Sequence, residues 1–461
     1  MAITEPPASI FKAYDVRGIH GEDLDGETAY VLGRGFARLL AQLRGKSTES
    51  LGIGLGRDMR LTAPQMGGRF AEGLMAEGCH VMDAGEVATE VLYYLVGSRS
   101  LDGGAMITAS HNPKAYTGMK LVREGALPLS GDAGIQDLKR LIEEGLPEKA
   151  PGGGTIEVVD CLREFQEGAL AMIRGGEKVK PMKLVVDGGN GMAGPTVGPL
   201  LRHLKMDSVE LYFKPDGNFP DHEPNPLLEE NRKLIIETVM QEEADLGIAW
   251  DGDADRCFFI DSEGTFVDGD FLTALLAESL LAKKGGGLIL YDVRASRAVR
   301  DRVEAAGGTA EVNRVGHAFF KARMRETGAL FGGEVSGHYY FKDFFNADSG
   351  TIPALLILEL LSEKETTMVE LMKDFRSKYF ISGEINSEVS DQAAKMEEIA
   401  DKHSDGEISR LDGISVDYDD WHFNVRPSNT EPLLRLNLES LVSPDHMAEK
   451  RDEVLSLIRS G

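Results

Sequence analysis

Short apolar runs recur along the chain. Each is closed by a loop rich in Gly and Asp and then by a helical pattern. Residues 51–60, 184–194 and 288–297 follow this grammar, the last with an amphipathic stretch to residue 306. Strands alternating with helices predict βαβ units and parallel or mixed sheets. The recurrence predicts related α/β domains in tandem, although no clean residue repeat is present. From Ile381 onward the pattern becomes strand, helix, strand, strand and a final helix over 444–459, which is α+β in character. Polar or glycine-rich breaks at 151–154, 261–264 and 376–379 divide the chain into segments 1–156, 157–262, 263–377 and 378–461.

The bulk numbers fit that division. A chain of 461 residues, 42% hydrophobic, is too long for one core. A net charge of -26 leaves no global basic footprint, which argues against nucleic acid as the main partner. An anionic ligand would have to be captured by local Arg, Lys and backbone N–H groups. The three cysteines, Cys79, Cys161 and Cys257, lack metal spacing and read as buried thiols of a reducing compartment. The first residues carry neither a basic n-region nor an apolar h-region. The longest apolar run, 354–358, is far too short to cross a bilayer. Together these features read as a cytoplasmic protein, with no membrane, nucleic-acid or protein partner implied.

Two segments carry the strongest chemistry. Thr108-Ala109-Ser110-His111-Asn112-Pro113 puts a serine hydroxyl on a loop after the apolar run 105–107, where βα loops carry function. Asp251-Gly252-Asp253-Ala254-Asp255-Arg256 puts three carboxylates on alternate residues after the run 246–250. Such crowding calls for a cation, and hard oxygen ligands suit Mg²⁺, which completes its shell with phosphate oxygens. A serine bearing a phosphoryl group beside that ion would make a phosphoryl-transfer enzyme. Each motif has a plainer reading. Ser-His-Asn-Pro is also a turn, and His111 need not face Ser110 merely by adjacency. Lys114 and Lys120 nearby favour the chemical reading. The aspartates resemble the start of an EF-hand, but the sixth position is Arg256 and the twelfth is Ser262.

Three further motifs are weaker singly. Gly332-Gly333-Glu334-Val335-Ser336-Gly337-His338 offers Glu and Ser to sugar hydroxyls, or is a glycine-rich turn. Arg426-Pro427-Ser428-Asn429-Thr430-Glu431-Pro432 offers a guanidinium fork and hydroxyl donors to phosphate, or is a Pro-bounded hairpin loop. Tyr14-Asp15-Val16-Arg17-Gly18 offers Arg17 to an anion, or is an edge strand with a structural Asp15–Arg17 pair.

In this order, from Tyr14 to Glu431, the five motifs resemble the α-D-phosphohexomutase superfamily, and most closely its phosphomannomutase/phosphoglucomutase branch. The resemblance implies three α/β domains of related core with mixed sheets and a smaller C-terminal α+β domain around a central cleft. It implies a phosphorylated Ser110, with Asp251, Asp253, Asp255 and the phosphoserine oxygen holding Mg²⁺. It assigns Arg256 to support of substrate or phosphate, and Glu334 and Ser336 to the sugar hydroxyls. Arg426, Ser428, Asn429 and Thr430 match the grip on the remote phosphate. Arg17, Lys120 and His338 match acid–base positions, while Tyr14, His317 and Arg294 match cleft residues. The implied reaction moves a phosphoryl group between the 1- and 6-positions of mannose or glucose phosphates through a hexose 1,6-bisphosphate.

The chain also departs from the pattern. Thr117 stands where asparagine is common, and Arg294 where lysine is familiar, an exchange that alters hydrogen-bond geometry. Asn429, rather than glycine, favours the mannose/glucose branch over the phosphoglucosamine mutases. Beside that sister activity, two other classes stay open: an aspartyl-phosphate phosphatase using Asp251, and a non-catalytic sugar-phosphate binder.

Overall fold

The computed structural model describes residues 6–130, 134–148, 152–428 and 432–460. The chain divides into two compact units, one of residues 1–266 with 336–367, the other of 267–335 with 368–461.

The first unit holds two sheets. In one, Val16–Ile19, Tyr116–Arg123, Gly103–Ile107, Gly52–Arg57, His80–Glu86 and Thr155–Val158 lie in that order. Gly52–Arg57 pairs in parallel with both His80–Glu86 and Gly103–Ile107. Tyr116–Arg123 runs antiparallel to Gly103–Ile107 and to the edge strand Val16–Ile19. Helix Gly26–Arg44 covers this sheet because its apolar positions fall on one face, burying Val31, Leu32, Phe36, Leu39 and Leu40. Asp25 and Thr28 close a reciprocal capping box at its start. It packs closely on helix Ala63–Ala76 where two glycines meet. A Cβ on Gly33 would lie 2.2 Å from the Phe70 carbonyl, and one on Gly73 the same distance from that of Tyr30.

In the other sheet, Cys257–Asp261, Leu246–Trp250, Lys183–Asp187 and Asp207–Leu211 lie in that order. The first pair is antiparallel and the other two are parallel. Leu246–Trp250 and Cys257–Asp261 are buried along their whole length, as continuous apolar runs covered on both faces should be. Helix Thr351–Lys364, which contains the run 354–358, is buried over most of its surface. It is a core helix, and among the described residues no helix is long and apolar enough to cross a membrane. The indole of Trp250 donates to the Gly350 carbonyl at 2.9 Å just before that helix. The buried carboxylate of Glu90 accepts from Ser349 and Thr351.

The second unit begins with three parallel strands, Thr309–Asn313, Leu288–Asp292 and Phe331–Gly333. Helices Gly269–Lys284, Arg297–Ala305 and His317–Thr327 connect and cover them. Its C-terminal part is antiparallel throughout. Phe380–Ile381, Leu433–Ser440, Trp421–Pro427, Ile414–Asp417 and Glu407–Ser409 lie in that order, with Ile385–Glu388 also on Leu433–Ser440. Helices Gln392–Lys402 and Pro444–Arg459 supply part of a core with Phe423, Val425, Leu434 and Leu436. The α+β character agrees with the sequence reading. The number of strands does not, because four stand between the two helices where two were expected. Glu407–Ser409 and Ile414–Asp417 are too short and too polar to show a clear alternation.

All three cysteines are buried free thiols, as expected. Burial pushes Cys79 up to about 12 and Cys161 up to about 11, and it pushes Cys257 well up too.

Candidate active site

Ser110 does not sit on a βα loop. The chain leaves Gly103–Ile107, turns through 108–115 and returns as the antiparallel Tyr116–Arg123. No helix intervenes, so the seryl loop is a β–β turn held at both ends by one hydrogen-bond ladder. Ser110 adopts a left-handed backbone, φ 50°, an unusual conformation for a side-chain-bearing residue. Two features hold it there. The Thr108 hydroxyl accepts from the Ser110 amide at 2.8 Å. The buried guanidinium of Arg60 donates to the carbonyls of Ser110 and Asn112 at 2.7 Å each, and to those of Pro113 and Tyr116 at 3.0 and 3.2 Å. Arg60 is itself paired with buried Asp58 at 3.2 Å. Burial pushes the Asp58 carboxyl up to about 6 even against the Arg60 charge.

The aspartate loop is also a β–β turn, between Leu246–Trp250 and Cys257–Asp261. It approaches the seryl loop so closely that a Cβ on Gly252 would lie 2.7 Å from the Ser110 carbonyl. Ser110 Oγ lies 3.1 Å from Asp251 Oδ2 and 3.2 Å from His111 Nδ1. His111 thus does face the serine. Burial, with Arg256 and Arg17 nearby, holds its imidazole well below the usual range and hence neutral.

Asp251, Asp253 and Asp255 each bring a carboxylate oxygen within 4.8 Å of the others, and all three are buried. Two cations hold them. Arg256 donates through its amide to Asp251 Oδ1 at 3.1 Å and through Nε to Oδ2 at 2.8 Å. Lys120 Nζ donates to Asp253 Oδ2 at 2.6 Å and also to Asp255 Oδ2. Thr89, at the start of helix Thr89–Ser98, adds its hydroxyl to Asp253 Oδ2 at 2.5 Å. Asp253 Oδ1 and Asp255 Oδ1 are buried without a hydrogen-bond partner. Burial opposes the charge on Asp253, but Lys120 outweighs it and holds that carboxyl below its usual range. Burial and the Asp253 charge push Asp255 well up. Two orphaned oxygens amid three crowded carboxylates are a donor set that fits a hard divalent cation.

Around this centre, Arg17 pairs with Asp15 and reaches Asn112 Oδ1 at 2.5 Å. The edge-strand reading with its Asp15–Arg17 pair holds, and the same arginine also touches the seryl loop. His338 Nε2 lies 4.0 Å from Asp255 Oδ1, and its Nδ1 is 3.0 Å from Ser336 Oγ. Asp255, His338 and Asp348 form a second group with ligand atoms within 4.8 Å. Tyr14 stands in the turn that Lys12 and Asp15 close by a backbone bond of 2.9 Å. Thr117 is buried with its hydroxyl 3.3 Å from that of Thr62. Lys114 is exposed and is not part of the cluster.

The second unit gathers a different set. Arg294 follows strand Leu288–Asp292 and is held by Asp292 through Nε and Nη2 at 2.9 and 2.8 Å. It lies 3.9 Å from Glu334, whose Oε2 accepts from the Gly316 amide at 2.8 Å beside His317. Glu384 accepts from Arg426 at 2.8 Å and Arg435 at 3.0 Å, and Arg294 stands 3.6 Å away. Arg435 also reaches the buried Ser428 hydroxyl at 3.4 Å. Asn429 and Thr430 lie outside the described residues.

Sequence reasoning missed Arg60, Thr89, Glu384 and Arg435. Arg60 had a faint signal, the Asp58-Met59-Arg60 triplet directly after an apolar strand. The others had none.

A serine hydroxyl set against a carboxylate trio that could hold a cation, and elsewhere a cluster of guanidiniums, are the parts of a phosphoryl-transfer enzyme for an anionic substrate. Comparisons with known proteins make the class specific. Models of phosphoglucomutase/phosphomannomutase alpha/beta/alpha domains I, II and III match residues 8–148, 165–264 and 268–379, and that of the C-terminal domain matches 384–457. A phosphomannomutase of Escherichia coli is 41% identical over 458 residues, covering 97% of this chain and 99% of its own. Phosphohexose mutases of Xanthomonas campestris pv. campestris reach 41% over 456 residues, with 97% and 99% coverage. Among solved structures, a phosphoglucomutase/phosphomannomutase family protein from Burkholderia thailandensis matches with a TM-score of 0.88 at 34% identity over 98% of each chain. The chain belongs to the phosphoglucomutase/phosphomannomutase family.

Proposed function

We propose that the protein is a phosphohexomutase that interconverts the 1- and 6-phosphates of mannose, glucose or both. The observation that carries this reading is the Ser110 hydroxyl 3.1 Å from Asp251 within the carboxylate trio. Ser110 is the residue that gives and retakes the phosphoryl group, with a hexose 1,6-bisphosphate between the two transfers. Mg²⁺ held by Asp251, Asp253, Asp255 and the seryl oxygen would neutralise charge on the group in transit.

The side chains then have separate tasks. Arg60 fixes the attack geometry by holding the seryl loop from behind. Arg256 and Lys120 offset the carboxylate charge. Lys120 is kept protonated by Asp253 and Asp255, so it serves as a proton donor before it can serve as a base. Arg17 and His338 are the other proton-handling groups. Glu334 and Ser336 take sugar hydroxyls, and Tyr14 and His317 are further substrate-binding residues. Arg294, Arg426, Ser428, Asn429 and Thr430 take the phosphate that is not reacting. The segments 1–156, 157–262, 263–377 and 378–461 bring, in turn, the serine, the cation ligands, the sugar loop and the phosphate loop. A cytoplasmic location belongs to the same reading, supported by three unpaired cysteines.

The phosphatase alternative fares worse on geometry. Asp251 is spanned by Arg256 through both of its oxygens and faces the Ser110 hydroxyl, a partner that an aspartyl-phosphate mechanism has no use for.

A coupled assay with mannose 1-phosphate, glucose 1-phosphate and glucosamine 1-phosphate tests the proposal, with Mg²⁺ and a trace of hexose 1,6-bisphosphate present. Isomerisation of the first two but not the third is expected, and Ser110→Ala should lose nearly all of it. Isomerisation of glucosamine 1-phosphate alone would move the protein to the sister activity. Phosphate release without isomerisation would refute the mutase.

A further inference from the structure

Glu384 lies on the turn between strands Phe380–Ile381 and Ile385–Glu388, directly after Gly383 with φ 67°. Its two oxygens serve three guanidiniums. Oε2 accepts from Arg426 Nη2 at 2.8 Å and lies 3.6 Å from Arg294 Nη1, while Oε1 accepts from Arg435 Nη1 at 3.0 Å. Two of these arginines should repel. Arg426 and Arg435 are directly opposed on antiparallel strands, where like charges destabilise a sheet. Nε of Arg426 and Nε of Arg435 are buried without a hydrogen-bond partner. The arginine side chains are 7% exposed at Arg294, 12% at Arg426 and 29% at Arg435. Glu384 is the member that reaches in from a surface turn, with its side chain 26% exposed. The arginines are anchored by a strand, a sheet pair and Asp292; the glutamate is anchored chiefly by the arginines.

We propose that the Glu384 carboxylate is an internal stand-in for a phosphate group. It keeps Arg294, Arg426 and Arg435 assembled in the free protein and is displaced when the phosphate of a sugar phosphate enters. A carboxylate offers two oxygens to guanidinium forks, and a phosphate dianion offers three with more charge, so the incoming group wins the exchange. The free protein thereby avoids an uncompensated guanidinium cluster, and its apparent affinity is lowered by the fraction of molecules in which Glu384 holds the site. Arg435 becomes a phosphate-binding residue alongside Arg294 and Arg426. The proposal rests on the reading of this cluster as the grip for the non-reacting phosphate.

The test is calorimetric titration of the full-length protein with inorganic phosphate, together with melting curves. Glu384→Gln should bind phosphate at least about fivefold more tightly than wild type. It should melt lower without phosphate and gain more from its addition. Glu388→Gln, a charge removal on the adjacent strand, should change neither quantity. Adding Arg426→Gln to Glu384→Gln should erase the gain. Unchanged or weaker affinity in Glu384→Gln would overturn the displacement and leave Glu384 a fixed support. An equal gain in Glu388→Gln would overturn it in favour of a general charge effect. A gain that survives Arg426→Gln would refute the reading of the cluster as a phosphate grip. If Glu384→Gln does not fold, Glu384→Asp, with its shorter reach, should give a smaller gain of the same sign, and no gain would overturn the proposal.

Discussion

The two charged clusters are near-mirror images. In the first unit, three carboxylates are held by two cations, Lys120 and Arg256. In the second, three guanidiniums share one glutamate. Their surroundings differ as well. The aspartate side chains are at most 1% exposed, whereas the arginines range from 7% to 29%. The sign of the majority charge indicates the sign of the ligand each cluster suits. The depth of burial indicates what that ligand must do. A small cation that stays through many turnovers can sit deep. A phosphate that must arrive and leave is better met by guanidiniums near the surface.

That contrast is broken most severely at the deep cluster. Asp253→Ala removes a carboxylate from the trio and leaves the Lys120 ammonium with one partner fewer. We expect kcat/KM to fall by at least about a thousandfold, and removal of Mg²⁺ by EDTA from the wild type to do the same reversibly. Retained turnover in either case would mean that the trio is structural. Arg60→Lys comes next. It keeps the charge beside Asp58 but loses most of the four carbonyl bonds to the seryl loop. A drop in kcat of about a hundredfold is expected, with KM nearly unchanged, because the defect is one of geometry. Arg426→Lys tests the shallow cluster, where a point charge replaces a fork. There the loss should fall on KM, by about tenfold or more. If Arg426→Lys lowered kcat and Arg60→Lys raised KM, the division of labour would be the reverse of that drawn here.

Much of this was legible in the sequence, for identifiable reasons. The carboxylate trio and its flanking strands were readable because a continuous apolar run followed by alternating aspartates is a local pattern. Helix Pro444–Arg459 was readable because its start carries Ser443 as a cap and Pro444 in the first turn. What was not legible came from distant chain. Arg60 reaches the Ser110 carbonyl across 50 positions, and Thr89 reaches Asp253 across 164. Glu384 reaches Arg426 and Arg435 across 42 and 51. Apart from the faint mark at Arg60, a lone Thr, Glu or Arg shows no sign of such service until the fold supplies its partner. The same holds for His111, whose turn toward Ser110 depends on a backbone dihedral rather than on adjacency.

A last prediction concerns stability alone. Glu439 is buried beside helix Arg297–Ala305, with Oε1 accepting from the Arg297 amide at 3.1 Å. Burial pushes its carboxyl from 4.5 up to about 7, against the pull of hydrogen bonds from Ser296 and Arg297. The folded state thus holds a proton that the unfolded state has released. Stability from this group is full below about pH 4.5 and is lost as pH rises through 7. Glu439→Gln should therefore melt higher than wild type at pH 8, by up to about 3 kcal/mol, with the advantage vanishing near pH 4. Glu384 runs the other way. Burial opposes its charge, but Arg294, Arg426 and Arg435 hold it below the usual range, so its contribution is present above that range and lost on acidification. Melting curves across pH that gave both residues the same sign would contradict the assigned environments.

The buried cysteines bear on how such experiments can be done. Alkylation and maleimide coupling proceed through the thiolate, and Cys79, Cys161 and Cys257 are both enclosed and held as thiols. The native chain is therefore a quiet background for chemical tagging. Val158, 81% exposed at the end of strand Thr155–Val158, can be replaced by cysteine to give one fast-reacting position without removing any native thiol. A fluorophore or spin probe placed there would report from a single known address.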